Sequence, residues 1–139
     1  MPPPVDLDID IPKLRAAIVE RKKALPIEDS PAEVSYVEED RQIPVRDGSS
    51  IKVRIHKPKM PPEDGCPIFV VYHGGGFTLG GLDDEALLCR NFTGLGGIAV
   101  NVDYRLAPEH PFPVPIEDAY DALKWVRDRK ASSGVLLTF

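Results

Sequence analysis

The chain has 139 residues, 42% hydrophobic and 28% charged, a composition typical of one globular domain. Lys and Arg total 17 and Asp and Glu total 22, so the net charge is −5. An acidic chain without a long basic run argues against nucleic acid as a partner. The longest strongly apolar run, residues 68–72, is too short to span a membrane. Residues 1–10 lack the apolar core of a secretory signal, so we expect a cytoplasmic protein.

The N-terminal region predicts an extended arm followed by a surface helix. Apolar residues recur at helical spacing from Ile11 to Leu25, among many charged residues. Asp10 suits the N-cap of this helix and Pro12 suits its first turn. Pro26 is predicted to end it.

A β-hairpin is predicted over residues 34–45 and 51–57, with Asp47-Gly48 in the turn. In its second strand, apolar and polar residues alternate strictly from Ile51 to His56. This alternation predicts one buried face and one face in water. His56 falls on the second face, so we expect a solvated surface residue and no ligand.

Two strands buried on both faces are predicted over residues 68–72 and 98–104, because both runs are apolar without alternation. Between them, Asp83-Asp84 are predicted to cap a helix whose apolar residues are Leu87, Leu88, Phe92 and Leu95. A further helix starts at Pro115, and its apolar residues are Ile116, Ala119, Tyr120, Leu123 and Val126. Strand, helix and strand in this order predict a parallel crossover in a mixed sheet, with helices on both faces.

Cysteine and histidine spacing predicts no metal site. Cys66 and Cys89 do not form a CxxC pair and are predicted to be ordinary free thiols. The three histidines are scattered, without the spacing of zinc ligands.

The most informative feature is His73-Gly74-Gly75-Gly76-Phe77, which directly follows the first apolar strand. Three successive glycines let the backbone turn sharply and leave its N–H groups free to face a ligand oxygen. Such donors stabilise the negative charge that develops on a carbonyl oxygen in a transition state. The alternative is a glycine-rich turn with no ligand. The strand and the histidine before the glycines favour the donor loop.

The second motif runs from Asn101 to Pro113 and by itself predicts a strand end and a rigid loop. With both motifs present in order, the chain resembles the hormone-sensitive-lipase-like esterase family of the α/β-hydrolase fold, most strongly over residues 66–128. That family has an HGGG loop after its third strand and a D-Y-R-L-A-P-E-x-x-[FY]-P segment after its fourth. The resemblance implies an α/β fold, the N-terminal portion of an α/β-hydrolase domain. Residues 1–33 would form an arm and cap-like helix, and residues 34–139 the mixed sheet and its flanking helices.

The resemblance also implies roles for single residues. Gly75 and Gly76 match the oxyanion-hole glycines of the family, and three neighbours would shape the loop, namely His73, Gly74 and Phe77. A second group matches a mainly architectural segment: Asp103, Tyr104, Arg105 and Pro108. Asp103 and Arg105 are expected to make local polar contacts there. His110 does not correspond to the catalytic histidine of the family, and neither a metal nor a cofactor is implied.

The nucleophile motif of the family, G-x-S-x-G on a strand-to-helix elbow, is absent from the chain. The serines in residues 47–50 and 131–134 lack its spacing and are predicted to lie in turns. The sheet is thus predicted to be truncated before the nucleophile-elbow strand. We therefore expect no catalytic residue and no turnover from this chain alone. We also expect residues 68–72 to lack a neighbouring strand, so that the chain self-associates or pairs with a partner.

Three interpretations of function follow. The first is a member or fragment of a carboxylic-ester hydrolase family, whose substrates by resemblance are small, short-chain acyl esters. The second is a non-catalytic, receptor-like α/β-hydrolase homologue that binds a small molecule. The third is a product without activity. Gly76 favours the esterase lineage over the receptor because it keeps the third glycine of the motif.

Overall fold

The computed structural model describes residues 9–24 and 36–132. Its helices are α1 (Ile11–Lys23), α2 (Ala86–Gly94) and α3 (Val114–Ser132), and its strands are β1 (Tyr36–Pro44), β2 (Ser50–Pro58), β3 (Ile68–Tyr72) and β4 (Ile98–Asp103). Three predicted features lie outside the described residues: the arm before residue 9, the stop at Pro26 and the tail after residue 132.

The four strands form one mixed sheet in the order β1-β2-β4-β3. β1 and β2 pair as the predicted antiparallel hairpin, and β2 pairs antiparallel with β4. β3 and β4 are parallel, with Ile68 opposite Ile98, and α2 connects them as the expected crossover. The sheet is therefore mixed, as the sequence predicted.

Side chains from alternate positions of the sheet form two apolar clusters on its opposite faces. The larger cluster packs under α3 and includes Val53, Val100, Val102, Ala122 and Val126. The smaller lies under α2 and consists of Val71, Cys89 and Ala99, with Phe69 and Phe92 packed against it. Helices thus cover both faces, as expected.

The start of α1 agrees with the sequence. The Asp10 side chain accepts a hydrogen bond from the Lys13 amide at 3.0 Å, which caps the helix, and Pro12 lies in the first turn. None of the α1 side chains is buried, so the helix lies on the surface.

The predicted cap of α2 is wrong. The helix begins at Ala86, and Glu85 occupies the N-cap position without a side-chain hydrogen bond. Asp84 instead accepts a bond from the Gly81 amide at 2.8 Å and closes the turn before the helix. Three of the expected core leucines are exposed, Leu87, Leu88 and Leu95, while the buried side chains are Cys89 and Thr93.

Of the five apolar residues that predicted α3, Val126 is buried, Ala119 is half-buried and the other three are exposed. Ile116, Tyr120 and Leu123 are 45%, 54% and 46% exposed. The buried face carries two carboxylates instead, Asp118 and Asp121, beside Ala122 and Val126. Partners from the sheet and its turns make this burial favourable. The Asp121 carboxylate accepts bonds from the Arg46 amide at 2.9 Å and from its guanidinium at 2.9 and 3.0 Å.

β3 was predicted to be buried on both faces and is only partly so. Val71 is buried, but Tyr72 is 38% exposed, and the first three residues of the strand, 68–70, are half-buried. The reason is position, because β3 is an edge strand of the sheet within the described residues. β4 lies between β2 and β3, and its residues from Ile98 to Val102 are all buried, as predicted.

His56 is also a correction. Its side chain is 0% exposed, whereas the alternation along β2 placed it in water. The face of β2 that carries His56 lies under α2 at this point. A polar residue on the alternate face of the strand was therefore not exposed to solvent here.

The Arg46–Asp121 contact predicts how stability depends on pH. Hydrogen bonds from Arg46 hold the pKa of Asp121 well below its ordinary value of 3.8. This contribution to stability is complete above about pH 4 and is lost as the pH falls through the lowered pKa. We expect Asp121→Asn to reduce the free energy of unfolding at pH 7 by about 2 kcal/mol, because Arg46 loses its buried carboxylate partner and keeps only the more exposed Glu117. Urea denaturation at pH 7, 4 and 3 measures this.

The matched control is Asp128→Asn, which removes an exposed carboxylate paired with Arg127. Its effect should stay within about 0.5 kcal/mol at each pH. Equal losses in the two variants at pH 7, or an unchanged acid response in Asp121→Asn, would contradict the assignment.

Candidate functional site

The glycine-rich loop lies where the parallel strands β3 and β4 end. His73 follows β3 directly and is 3% exposed, while residues 74–77 are exposed. The segment 104–113 leaves β4 at the same edge of the sheet. In open α/β sheets, ligands bind at the carboxyl ends of the strands. Both motifs therefore meet at the edge where a site is expected.

The loop needs glycine most strongly at position 75. Gly75 has φ of 126°, and its carbonyl accepts bonds from the amides of Thr78 and Leu79 at 3.1 and 2.9 Å. A Cβ at Gly75 would lie 2.1 Å from the carbonyl oxygen of Leu79. Gly76 has φ of 59°, and a Cβ there would meet nothing within 4 Å. Position 75 is thus restricted by packing, and position 76 by its backbone conformation alone.

Two backbone amides in the exposed part of this loop have no protein acceptor. Within residues 9–24 and 36–132, the amides of Gly75 and Gly76 donate to no protein group, and both residues are exposed. A buried amide without an acceptor would be costly, but an exposed one is available to a ligand. These amides can therefore bind an oxygen that carries negative charge.

His73 supports the loop from below. Its ring stacks on Tyr104 with centroids 4.3 Å apart, and the Tyr104 hydroxyl donates to the His73 carbonyl at 2.6 Å. The His73 Nδ1 atom donates to the Gly74 carbonyl at 2.8 Å. A Cβ at Gly80 would lie 2.3 Å from this Nδ1 atom, so the returning chain packs directly on the ring. Gly80 escaped the sequence analysis, although the pair Gly80-Gly81 marked a close approach.

The second motif connects the loop to the rest of the fold. The Ala107 amide donates to the Phe77 carbonyl at 2.9 Å. Arg105 donates to the Asp118 carboxylate at 2.8 and 2.7 Å and to Asp47 at 2.8 Å. The bond from Arg105 lowers the pKa of Asp47 to about 2. These contacts join the site edge to the start of α3 and to the hairpin turn.

The other residues of this motif are less connected. Asp103 is half-buried, and its desolvation raises its pKa above the ordinary value of 3.8. Pro108 follows a cis peptide bond after Ala107. His110 is exposed in the loop, away from the buried ring of His73.

Arg15 is a contact that the sequence did not reveal. From α1 it donates to the Thr78 carbonyl at 2.7 Å, to Glu109 at 2.7 Å and to the Ala107 carbonyl. It therefore attaches the surface helix to the ends of both motifs. No local pattern around Arg15 predicts this, because its partners lie more than 60 residues away in the chain.

An open groove of about 880 Å³ separates α1 from residues 79–90. Its apolar walls are Ile18, Val19, Leu79, Leu82 and Ala86. The groove reaches Gly80 but does not include Gly75 or Gly76. Gly75 and Gly76 therefore lie outside the groove.

Among the described residues, no three His, Cys, Asp or Glu side chains come together to hold a metal ion. Both cysteines are free, and burial raises the pKa of Cys89 to about 11, so its thiol stays protonated. The described helices include none long and apolar enough to cross a membrane.

Comparison with known proteins confirms the resemblance. The profile of a family described as alpha/beta hydrolase fold matches residues 69–137. The chain is 43% identical over 97 residues to carboxylesterase NlhH of Mycobacterium tuberculosis, covering 69% of this chain and 30% of that protein. It is 35% identical over 101 residues to ethyl acetate hydrolase of Pseudomonas putida, covering 69% of this chain and 31% of that protein.

Solved structures agree. A Pyrobaculum calidifontis esterase superposes with a TM-score of 0.68 at 39% identity, covering 92% of this chain and 40% of that one. A bacterial heroin esterase gives a TM-score of 0.77 at 30% identity, covering 91% and 39%. The chain has the α/β-hydrolase fold and belongs to the esterase family of that fold. It spans about 30% of the length of the curated relatives.

The glycine geometry predicts unequal effects of alanine along the loop. Gly75→Ala should reduce the free energy of unfolding by about 2 kcal/mol or more, because its Cβ meets the Leu79 carbonyl at a positive φ. Gly74→Ala is the matched control, since a Cβ there meets nothing within 4 Å. Its effect should stay within about 0.5 kcal/mol. Urea unfolding of the wild-type chain and of the two variants measures these differences. Equal stabilities of the two variants would contradict the described loop.

Proposed function

We propose that this chain supplies the oxyanion hole of a carboxylic-ester hydrolase, with the amides of Gly75 and Gly76 as donors. The observation that carries the proposal is that both amides belong to exposed residues with positive φ angles and have no protein acceptor among the described residues. Family membership supports the reaction class, because the relatives are carboxylesterases and other ester hydrolases by name.

The chemistry follows from the charge that forms during ester hydrolysis. When a nucleophile attacks the ester carbonyl, its oxygen becomes negative, and fixed N–H donors stabilise it more than they stabilise the substrate. Loss of one such donor costs about 10²–10³ in kcat in enzymes of this kind. In this proposal the two glycines polarise the carbonyl, while Arg15, His73 and Tyr104 keep the loop in place.

An oxyanion hole alone does not complete the reaction. A serine nucleophile, its general base and the orienting acid are also needed, and in this fold the acid and base follow the serine in chain order. The 139 residues contain no G-x-S-x-G sequence. We therefore propose that these groups come from sequence outside the 139 residues.

The proposed substrate class is small, short-chain acyl esters. One relative is named for the hydrolysis of ethyl acetate, an ester with a two-carbon acyl group. The open groove of about 880 Å³ beside Gly80 combines apolar and charged walls, and its apolar side chains would contact the apolar part of such a substrate.

The isolated chain should not react with serine-directed reagents. Incubation with a fluorophosphonate and measurement of the intact mass should show no stoichiometric adduct, because no serine is activated by a base. Stoichiometric labelling would contradict this prediction. The expected result leaves the oxyanion-hole proposal standing, since that role needs no nucleophile in the chain.

A chimera tests the oxyanion hole itself. Residues 1–132 of this chain are fused to the part of the Pyrobaculum calidifontis esterase that follows its matching segment, and hydrolysis of p-nitrophenyl acetate is measured. We expect turnover, and we expect Gly75→Ala in the folded chimera to lower kcat by about 10²-fold with a smaller change in KM, because the added Cβ displaces the loop and its amides from the carbonyl oxygen. Gly74→Ala should leave both within a few-fold. A folded chimera without turnover, or one indifferent to Gly75→Ala, would overturn the proposal.

We also propose that a second copy of the chain binds at the edge of β3. One side of this strand has no neighbour among the described strands, and Tyr72 is exposed at its end. The Tyr72 hydroxyl donates to the Ala119 carbonyl of α3 at 2.9 Å, and α3 exposes the apolar side chains of Ile116 and Leu123. Edge strands with apolar surroundings pair readily with another chain.

Light scattering of the purified chain at micromolar concentration tests this interface. We expect a dimer or larger species whose population rises with protein concentration. A monodisperse monomer of the wild-type chain would contradict the proposal.

A further inference from the structure

His56 lies in a closed site between the hairpin and α2. Its side chain is 0% exposed, and its carbonyl accepts a bond from the Thr93 hydroxyl of α2 at 3.3 Å. Ala99 of β4 lies opposite it in the sheet. An ionisable ring is thus enclosed by the helix that connects β3 to β4.

The imidazole is poorly satisfied in this site. Neither ring nitrogen makes a hydrogen bond within the described residues. The Nδ1 atom lies 3.3 Å from Glu38 Oε1, close enough for an ion pair once the ring is charged. That same Glu38 oxygen already accepts a bond from Arg90 of α2 at 3.0 Å.

The charges around His56 balance only while the ring is neutral. β1 contributes Glu38 and Asp40, β2 contributes Arg54, and α2 contributes Arg90. Each carboxylate is already paired, Glu38 with Arg90 and Asp40 with Arg54 at 2.7 and 3.0 Å. The buried Cys89 thiol of α2 stays protonated and adds no charge.

We propose that His56 is a proton sensor that loosens α2 from the sheet when the pH falls. A proton on the ring adds a positive charge to a site without water access. The nearest carboxylate oxygen is Glu38 Oε1, and a charged ring would share it with Arg90, which weakens the ion pair between Arg90 of α2 and Glu38 of β1. Alternatively, water solvates the positive charge of the ring, and water enters only when α2 moves away from the sheet. Both routes weaken the same helix–sheet contact.

The sign of the effect follows from burial, which holds the pKa of His56 below its ordinary value of 6.5. The closed form therefore binds the proton less well than the open form. Its stability is complete above about pH 6.5 and declines as the pH falls below that value. The acid response of Asp121 occurs at lower pH, so the two effects are separable.

Hydrogen exchange on the 139-residue chain tests the proposal without any activity measurement, so its outcome does not depend on the proposed function. Protection factors of α2 amides, corrected for intrinsic exchange, are measured from pH 7.5 to 5.5. We expect protection in α2 to fall by up to about tenfold, because one proton changes the opening equilibrium by at most that factor over one pH unit below 6.5. His56→Gln, which has no charge to gain, should remove most of this loss.

His110→Gln is the matched control, since it removes an exposed histidine and should leave the pH response intact. An equal response in His56→Gln would overturn the proposal. If that variant does not fold, an NMR titration of the wild-type ring decides. Protonation of His56 at or above pH 6.5 while α2 keeps its protection would overturn the proposal, and protonation coupled to loss of protection would support it.

Discussion

The rest of the structure depends on the contact between Arg105 and the buried Asp118 carboxylate. Arg105 donates to it from its amide at 3.0 Å and from two guanidinium nitrogens. Because Arg105 directly follows Tyr104 at the end of β4, this contact fixes α3 against the sheet and sets the direction of the loop that holds Ala107. The same guanidinium reaches Asp47 in the hairpin turn. One cation therefore connects the three segments around the site edge.

The glycine loop is constrained from two sides by this arrangement. Tyr104 holds His73 by stacking and by its hydroxyl, while Arg15 binds carbonyls at the ends of both motifs. Gly75 and Gly76 lie exposed between these two supports, and neither amide donates to a protein group among the described residues. In the proposed function, this support would fix the two amides before a substrate binds.

Much of the fold was predictable because local patterns determine strands, turns and motifs. The alternation from Ile51 to His56 located β2, and two apolar runs located β3 and β4. The burial of His56 was not predictable, because alternation shows which residues share a face but not what covers it. The helix α3 was predicted, but its buried face was not, because a buried carboxylate such as Asp118 is favourable only when a distant arginine pairs with it. Arg15 was missed for the same reason, as its partners are distant in the chain.

The position of β4 between β2 and β3 has a consequence for synthesis of the chain. Both of its neighbours precede it in the sequence, and they do not pair with each other. A growing chain therefore emerges from the ribosome with the inner edges of β2 and β3 open until residues 98–103 arrive to fill the gap. The hairpin can form early because its contacts are local, whereas β4 can pair with β2 and β3 only after both have been synthesised. During that interval these edges expose unpaired backbone groups, which makes the unfinished chain more prone to aggregation than the completed sheet.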